Sequence, residues 1–255
     1  MLKGSFYLIL CTLFSLANSV SAFAEQISVV TEDAYPLQYE RANKVKGPAT
    51  ELLTAMLDRA ELSYTLEVFP WPRAYKAALN QRNTLIYSIA KTPLREDKFK
   101  WVGKIISLDY YLFGLNSLEV ESSDSIESLK KYKIGTVRDS AIHEYFQNNN
   151  FEHIQIVSYP EQNINMLQNH RIELFPANIA SFKISCKKLE FNCAGIVPLY
   201  KLDAPSTELY FAFSKNTDDA IVEKVKKAYQ DVYRLKPVNI MVEDEGYPEE
   251  VSHIN

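Results

Sequence analysis

The chain has 255 residues, of which 47% are hydrophobic and 24% charged, and its formal net charge is −4. This composition is typical of a globular protein and argues against a disordered or fibrous chain. Because no basic stripe with interleaved aromatic residues occurs, nucleic acid is not expected as a partner.

The first 24 residues have the pattern of a cleaved secretory signal. Lys3 precedes an apolar run, 6–17, that is short for a bilayer span. Small residues follow, and Ala22 and Ala24 form an A-x-A cleavage site before Glu25. We therefore expect residues 1–24 to be removed and the mature protein to be soluble and exported.

In the first half of the chain, strands alternate with helices. Residues 27–31 are a short β-branched apolar run, and a helix is expected from about Thr50 because its apolar residues fall on one face. A strand at 63–69, a helix at 72–81 with Pro72 in its first turn, and a strand at 84–89 follow. This order predicts parallel strand pairing with helices on the sheet faces.

The same alternation resumes after about residue 116. It predicts a short helix at 125–132, strands at 133–137, 153–159 and 172–176, and helices at 140–150 and 161–169. Two α/β units of about a hundred residues each fit this length better than one large sheet.

Two aromatic-rich segments, 108–115 and 207–215, connect the units and are expected to act as a two-strand hinge. The last predicted helix, 218–233, has a continuous apolar face and should pack on the first unit. A ligand would bind between the units, where the carboxyl ends of parallel strands and helix N-termini converge.

Cys186 and Cys193 are close in sequence, and an exported chain meets an oxidising compartment, so a structural disulfide is the leading interpretation. A metal site is the alternative, but it needs further ligands. The histidines at 143, 153, 170 and 253 lack ligand spacing, so no metal is expected.

An ordered set of motifs suggests a family. It runs "YPLQY", "KGPATELL", "SIAKTPLRE" and "WVG", then "SLKKYKIGT", "NMLQNHRIEL" and "YFAFSK". This order resembles the polar amino acid group of bacterial periplasmic solute-binding proteins, over essentially the whole mature chain. The stretch "PWPRAYKAAL" is similar to a proteobacterial subgroup whose ligands are mostly unassigned.

The resemblance implies an α/β fold of the type II periplasmic binding protein class. Each lobe is a mostly parallel sheet flanked by helices, and a two-strand hinge joins the lobes. Lobe 1 would comprise 25–113 and 206–255, and lobe 2 would comprise 114–205. The expected function is capture of a small carboxylate-bearing solute, an amino acid or related organic anion, in the periplasm for an ABC-type permease. The resemblance implies a monomer without a cofactor.

In that family the arginine of a T-x-x-R stretch pairs with the ligand's carboxylate, and the matching residue here is Arg95. A guanidinium presents a rigid fork of donors that fits a carboxylate. Thr92 and Ser88, just before it, could add a hydroxyl or a backbone N–H.

Further candidates have structural alternatives. Asp139 and Ser140 precede a predicted helix, whose N-terminus would favour an anion, although plain N-capping is the alternative. Tyr35 could stack on the ligand or simply pack. Trp71 and Arg73 open a helix that faces the cleft, with a packing tryptophan and a solvated arginine as the alternative. A second arginine in the cleft would suit a dicarboxylate or another anion.

One position departs from the family. Amino-acid-binding relatives carry an aspartate for the ligand's ammonium where this chain has Asn178, five residues after Glu173. An amide supplies no countercharge, and an unpaired ammonium in a closed cleft is costly. Either Glu32, Asp33 or Asp139 takes this role, or the ligand is not an ordinary α-amino acid.

Two other functions are compatible with the same fold. Some similar proteins are dehydratases of cyclic dienyl acids, which need a positioned general acid. Asn178 cannot be that acid, and no nucleophile–base pair is visible, so an enzyme is not the expected function. The domain could also present its ligand to a membrane sensor instead of a permease.

Overall fold

The computed structural model describes residues 26–120, 125–188, 190–202, 208–235 and 238. The predicted signal peptide lies outside these residues, so its cleavage stays a prediction. No helix in this described part is long and apolar enough to cross a membrane.

Strands and helices alternate along most of the chain. The strands are β1 (Ile27–Thr31), β2 (Tyr39–Arg41), β3 (Lys44–Lys46), β4 (Tyr64–Val68), β5 (Thr84–Ala90), β6 (Phe99–Ser107), β7 (Tyr110–Leu115), β8 (Ile134–Val137), β9 (Ile154–Val157), β10 (Phe175–Ala177), β11 (Ile196–Leu202) and β12 (Glu208–Ser214). The α-helices are α1 (Pro48–Arg59), α2 (Trp71–Asn80), α3 (Ala141–Asn148), α4 (Glu161–Gln168), α5 (Ile179–Lys188) and α6 (Asp219–Leu235). Short 3₁₀ helices occur at Glu96–Lys98 and Ser128–Lys131.

The first unit is built on a sheet of strand order β4-β1-β5-β12-β6. β1 pairs in parallel with β4 and β5, as the strand–helix alternation predicts. β12 is antiparallel to both β5 and β6, so the sheet is mixed rather than mostly parallel. The order places the end of β1 next to the end of β5, and both ends face the second unit.

Both faces of this sheet are covered by helices. On one face, α1 buries Leu53, Met56 and Leu57 in the same core as Val222 and Val225 of α6. The last helix therefore packs on the first unit, which confirms the prediction from its apolar face. On the other face, α2 packs its buried aromatic and alanine residues on the sheet. α2 thus forms the wall between the first core and the second unit.

The second unit combines antiparallel and parallel pairs. β7 is antiparallel to β10 and to β11, whereas β8 and β9 are parallel. An isolated parallel bridge between Ile134 and Leu174 joins the two groups of strands. The second predicted α/β unit is therefore present, but half of its pairing is antiparallel because β7 and β11 enter the sheet from the connections between the units.

The two segments expected to form the hinge lie in different sheets. β7 completes the sheet of the second unit, and β12 completes that of the first. The link at 108–109 lies between β6 of the first unit and β7 of the second, and residues 203–207 are not among the described residues. The exact lobe limits at 113 and 206 stay a prediction.

Several elements escaped the sequence interpretation for physical reasons. β6 carries Lys100 and Lys104, which pair with Asp219 and Glu208, so it lacks a clear apolar run. β11 contains Pro198, which argues against a central strand, and it lies at a sheet edge, where proline is tolerated. The β2–β3 hairpin and α5 were also missed.

The predicted disulfide is present. Cys186 and Cys193 are bonded, with their Cα atoms 6.0 Å apart. The bond ties the end of α5 to the segment before β11. Since α5 borders the cleft described below, the disulfide restrains one of its walls.

Candidate ligand-binding cleft

A cavity of about 200 Å³ lies between the two units. The first unit lines it with residues after β1, the end of β5 and the start of α2, and the second with the end of β8, β10 and the first turns of α3, α4 and α5. Carboxyl ends of parallel strands and helix N-termini therefore converge here, as expected for this fold class.

Most of the predicted site residues line this cleft. They are Tyr35, Trp71, Ser88, Arg95, Ser140 and Asn178. Thr92, Arg73 and Asp139 are not among its lining residues. The ligand contacts expected of all nine residues stay predictions.

Arg95 is completely buried and is already bonded on three sides. Its Nε donates to Glu144 Oε2 at 2.8 Å, its Nη2 to the carbonyl of Asp139 at 2.9 Å, and its Nη1 to the carbonyl of Ala90 at 3.4 Å. The guanidinium lies 4.7 Å from the ring centroid of Tyr75. Two of its three acceptors belong to the second unit, so Arg95 bridges the cleft.

Helix α2 makes two more bonds across the cleft. Tyr75 donates its hydroxyl to Glu144 Oε1 at 3.2 Å, and Trp71 donates Nε1 to the carbonyl of Asp139 at 2.8 Å. Glu144 thus receives one donor on each oxygen, both from the first unit. No pattern in the sequence indicates a role for Glu144, because its partners depend on how the two units meet.

Asp139 and Ser140 form hydrogen bonds that stabilise the start of α3 in the second unit. Ser140 Oγ accepts from the backbone N–H of His143 at 3.1 Å, so Ser140 caps α3, the structural alternative for this residue. Asp139 has a left-handed φ of 57°, and its N–H donates to His143 Nδ1. It is the Asp139 carbonyl, rather than its carboxylate, that meets Arg95 and Trp71.

Ser88 is held rigidly at the cleft wall. It has a left-handed φ of 59° and sits at a bulge where β5 loses register with β12. Its hydroxyl donates to Gln38 Oε1 at 2.7 Å, and Gln38 is fully buried. The Ser88 hydroxyl therefore faces the cleft with its own proton already committed.

The other predicted residues have mainly structural contacts. Thr92 is buried, and its carbonyl accepts from the N–H of Arg95 at 2.9 Å, which shapes the loop that carries the arginine. Arg73 is exposed, lies 3.7 Å above the ring of Phe69 and is not among the lining residues of the cavity. Asn178 Oδ1 accepts from the N–H of Ser181 at 2.9 Å and caps α5.

Three acidic side chains lie close together at one end of the cleft, which we call its acidic end. Glu32 and Asp33, both named as alternatives to Asn178, follow β1, and Glu161 comes from the first turn of α4. Burial raises the pKa of Glu32 to about 8; the charges of Glu161 and Asp33 add to this, and Arg95 opposes it. Glu161 was missed, because an acid in a first turn usually just stabilises the helix dipole.

Tyr110 and Asn163 complete this polar end. Burial raises the pKa of Tyr110 to about 12; the charge of Glu32 adds to it, and a hydrogen bond with Asn178 opposes it. Asn163 is buried, and its Oδ1 has no hydrogen-bond partner among the described residues. The acidic side chains together with Tyr110 and Asn163 therefore offer many hydrogen-bond acceptors. In the described ranges, no three His, Cys, Asp or Glu residues are grouped to hold a metal ion.

Comparisons with known proteins agree with this architecture. No protein-family model matches the chain, and no curated protein matches it. Among solved structures, a histidine kinase sensor domain with similarity to periplasmic binding proteins is 14% identical, with a TM-score of 0.72 over 83% of this chain and 91% of that one. An ancestral arginine-binding protein bound to arginine is 16% identical, with a TM-score of 0.65 over 82% and 97%.

A third similar structure is the arginine-, lysine-, histidine-binding protein ArtJ from Geobacillus stearothermophilus. It is 18% identical, with a TM-score of 0.65 over 83% of this chain and 90% of that one. At these identities the likeness establishes the fold. The chain has the two-lobe α/β fold of periplasmic binding proteins, with the cleft between its lobes.

Proposed function

We propose that the chain is an exported, periplasmic solute-binding protein that captures a small amino acid or related carboxylate-bearing solute between its lobes. The observation that carries this proposal is the interlobe cleft, where three acids and one arginine converge from both lobes. A ligand that touches both lobes favours the closed arrangement over the open one. Delivery to an ABC-type permease is the expected output, in keeping with the binding proteins among the similar structures.

The acidic end of the cleft is proposed to receive the ligand's ammonium or another cationic group. Glu32 and Glu161 lie close enough for the charge of Glu161 to raise the pKa of Glu32. A cation between them would favour the ionised form of Glu32, and the Asn163 oxygen would gain a donor. This arrangement removes the difficulty raised by Asn178, because the countercharge comes from β1 and α4 instead.

Arg95 is proposed to receive the carboxylate at the other end. It lines the cleft. Removing an arginine that meets a buried carboxylate costs roughly 2–5 kcal/mol of binding. Thr92 and Ser88 would then act mainly through the shape of the loop and the strand end.

A thermal-shift screen of residues 25–255 against amino acids, amines, dicarboxylates and small cyclic acids tests this function. A solute in large excess over its dissociation constant should stabilise the protein by roughly 3–4 kcal/mol, a shift of several degrees. The gain should be largest for solutes with an ammonium or guanidinium group and should shrink in Glu32→Gln. Glu40→Gln, an exposed acid on β2, is the matched control. Shifts for none of these solutes would refute the proposal.

A sensor role is a second candidate, because a histidine kinase sensor domain is among the similar structures. The same cleft and the same ligand would serve it, and the output would pass to a separate membrane protein. Co-purification of the tagged protein with membrane proteins from its native host separates the two roles, since it would recover either a permease or a kinase.

We propose no enzymatic step, although Glu32 could donate a proton because its pKa is raised to about 8. Incubation of the purified protein with prephenate or arogenate, followed by chromatography, tests the dehydratase alternative. Turnover that is lost in Glu32→Gln would favour an enzyme over a binding protein.

A further inference from the structure

Arg95 already holds a carboxylate, and that carboxylate belongs to the protein. A guanidinium presents one side edge with the donors Nε and Nη2, which fits the two oxygens of a carboxylate. Here Nε is bonded to Glu144 and Nη2 to the carbonyl of Asp139. Both donors of this edge are therefore occupied by acceptors from the second lobe.

The ion pair is also shielded from water. The side chain of Arg95 is 0% exposed and that of Glu144 is 15% exposed. The rings of Tyr75 and Trp71 lie 4.7 and 5.6 Å from the guanidinium. A ligand carboxylate can take this Nε–Nη2 edge only if Glu144 and the Asp139 carbonyl move away.

Apart from the bond from Arg95 to the Ala90 carbonyl, the hydrogen bonds of Arg95, Tyr75 and Trp71 described above cross between the lobes. Arg95, Tyr75 and Trp71 belong to the first lobe, and Glu144 and the Asp139 carbonyl belong to the second. We call these five groups the interlobe latch. A charged pair that is shielded from water is held more firmly than an exposed one, so the latch favours the closed lobes even with the cleft empty.

We propose that Glu144 is an internal competitor for the ligand's carboxylate. Glu144 keeps the cleft closed without ligand, and it must leave Arg95 before a ligand carboxylate can bind to the Nε–Nη2 edge. The first part of this proposal, that the empty cleft is closed, rests on the contacts alone. The second part rests on the proposed function, in which Arg95 receives a carboxylate.

The competition makes Glu144 a determinant of specificity. A cationic solute without a carboxylate can bind at Glu32 and Glu161 while the latch stays intact. A solute with a carboxylate must displace Glu144, and its apparent affinity falls by the fraction of molecules in which Arg95 is free. Glu144 therefore shifts the preference of the cleft toward amines and selects against weakly bound carboxylates.

The closed empty cleft is tested by small-angle X-ray scattering on the ligand-free protein. Glu144→Gln keeps the shape of the side chain but removes its charge, and Glu144→Ala removes the acceptor. Both should increase the radius of gyration, with the alanine variant larger. Glu152→Gln, an exposed acid of the same lobe, is the matched control and should leave it unchanged. An unchanged radius in both Glu144 variants, with folding verified by circular dichroism, would overturn the latch.

The competition is tested by calorimetric titration with the matched pair L-arginine and agmatine, which differ by the carboxylate. Glu144→Gln should tighten L-arginine relative to agmatine by about five- to tenfold, the difference between a charged and a neutral hydrogen bond. A ratio equal to that of the wild type would overturn the competition. If neither compound binds any variant, the proposed ligand class fails, whereas the scattering result still decides the latch.

Discussion

Replacing Glu32 with glutamine should change how the stability of the protein depends on pH. In the folded protein, burial raises the pKa of Glu32 from 4.5 to about 8, with further repulsion from Glu161 and Asp33. In the unfolded chain the carboxyl ionises near its ordinary pKa. Between these two values the folded state holds a proton that the unfolded state has released, so the free energy of unfolding falls as pH rises. The glutamine variant cannot lose a proton and should lack this part of the fall.

The size of the effect follows from the shift. One pKa unit corresponds to about 1.4 kcal/mol, so the full shift sets an upper bound of roughly 5 kcal/mol. Glu32 is partly exposed toward the cleft, where water screens its charge, so we expect a loss of roughly 1–3 kcal/mol between pH 5 and about 8. For a chain of this size that is a lowering of Tm by about 3–10 °C.

Differential scanning fluorimetry from pH 5 to 8.5 measures the effect as the difference between wild type and Glu32→Gln. Other groups, including His143, titrate in both proteins and cancel in the difference. Glu40→Gln should follow the wild-type curve. Parallel curves for wild type and Glu32→Gln would refute the reasoning, because Glu32 would then ionise alike in the folded and unfolded chain.

Three further predictions concern single contacts. Arg95→Ala should weaken binding of a carboxylate-bearing solute at least tens of fold, by roughly 2–5 kcal/mol, and unchanged calorimetric titration would rule out this role. Replacing Cys186 and Cys193 with serine should cost about 2–3 kcal/mol in the free energy of unfolding, because the disulfide closes a short loop; a wild-type urea midpoint would contradict this. Gly103→Ala should destabilise by about 1–3 kcal/mol, because its Cβ would overlap the ring of Tyr229. A wild-type Tm for that variant would show that the ring can move aside.

The regular parts of the fold were predictable because their signals are local. Residues 27–31 and 84–89 are short, largely apolar runs, and both became buried strands that pair with each other in parallel. The apolar face of the last helix likewise predicted its contact with the first lobe. β6 and β11 were not predictable in this way, because their lysines and Pro198 are compatible with strands only at particular places in a sheet.

The candidate site shows the same difference between local signals and contacts made far apart in the sequence. The position of Arg95 followed from an ordered set of motifs, and the structure places it at the cleft. Its partner Glu144 lies 49 positions further on, in a helix whose own pattern shows only which face is buried. The backbone carbonyl of Asp139 is invisible to any argument from side chains. Contacts that form where the two lobes meet can therefore be identified only in the structure.

A small solute is proposed to bind between the two lobes. Hydrogen–deuterium exchange with the best ligand of the thermal-shift screen tests this binding, since a bound ligand slows exchange wherever it suppresses local opening. We predict protection in both walls of the cleft at once, around residues 32–35 and 88–95 of the first lobe and 136–144 and 161–164 of the second. Protection confined to one lobe, or located away from these segments, would contradict capture between the lobes.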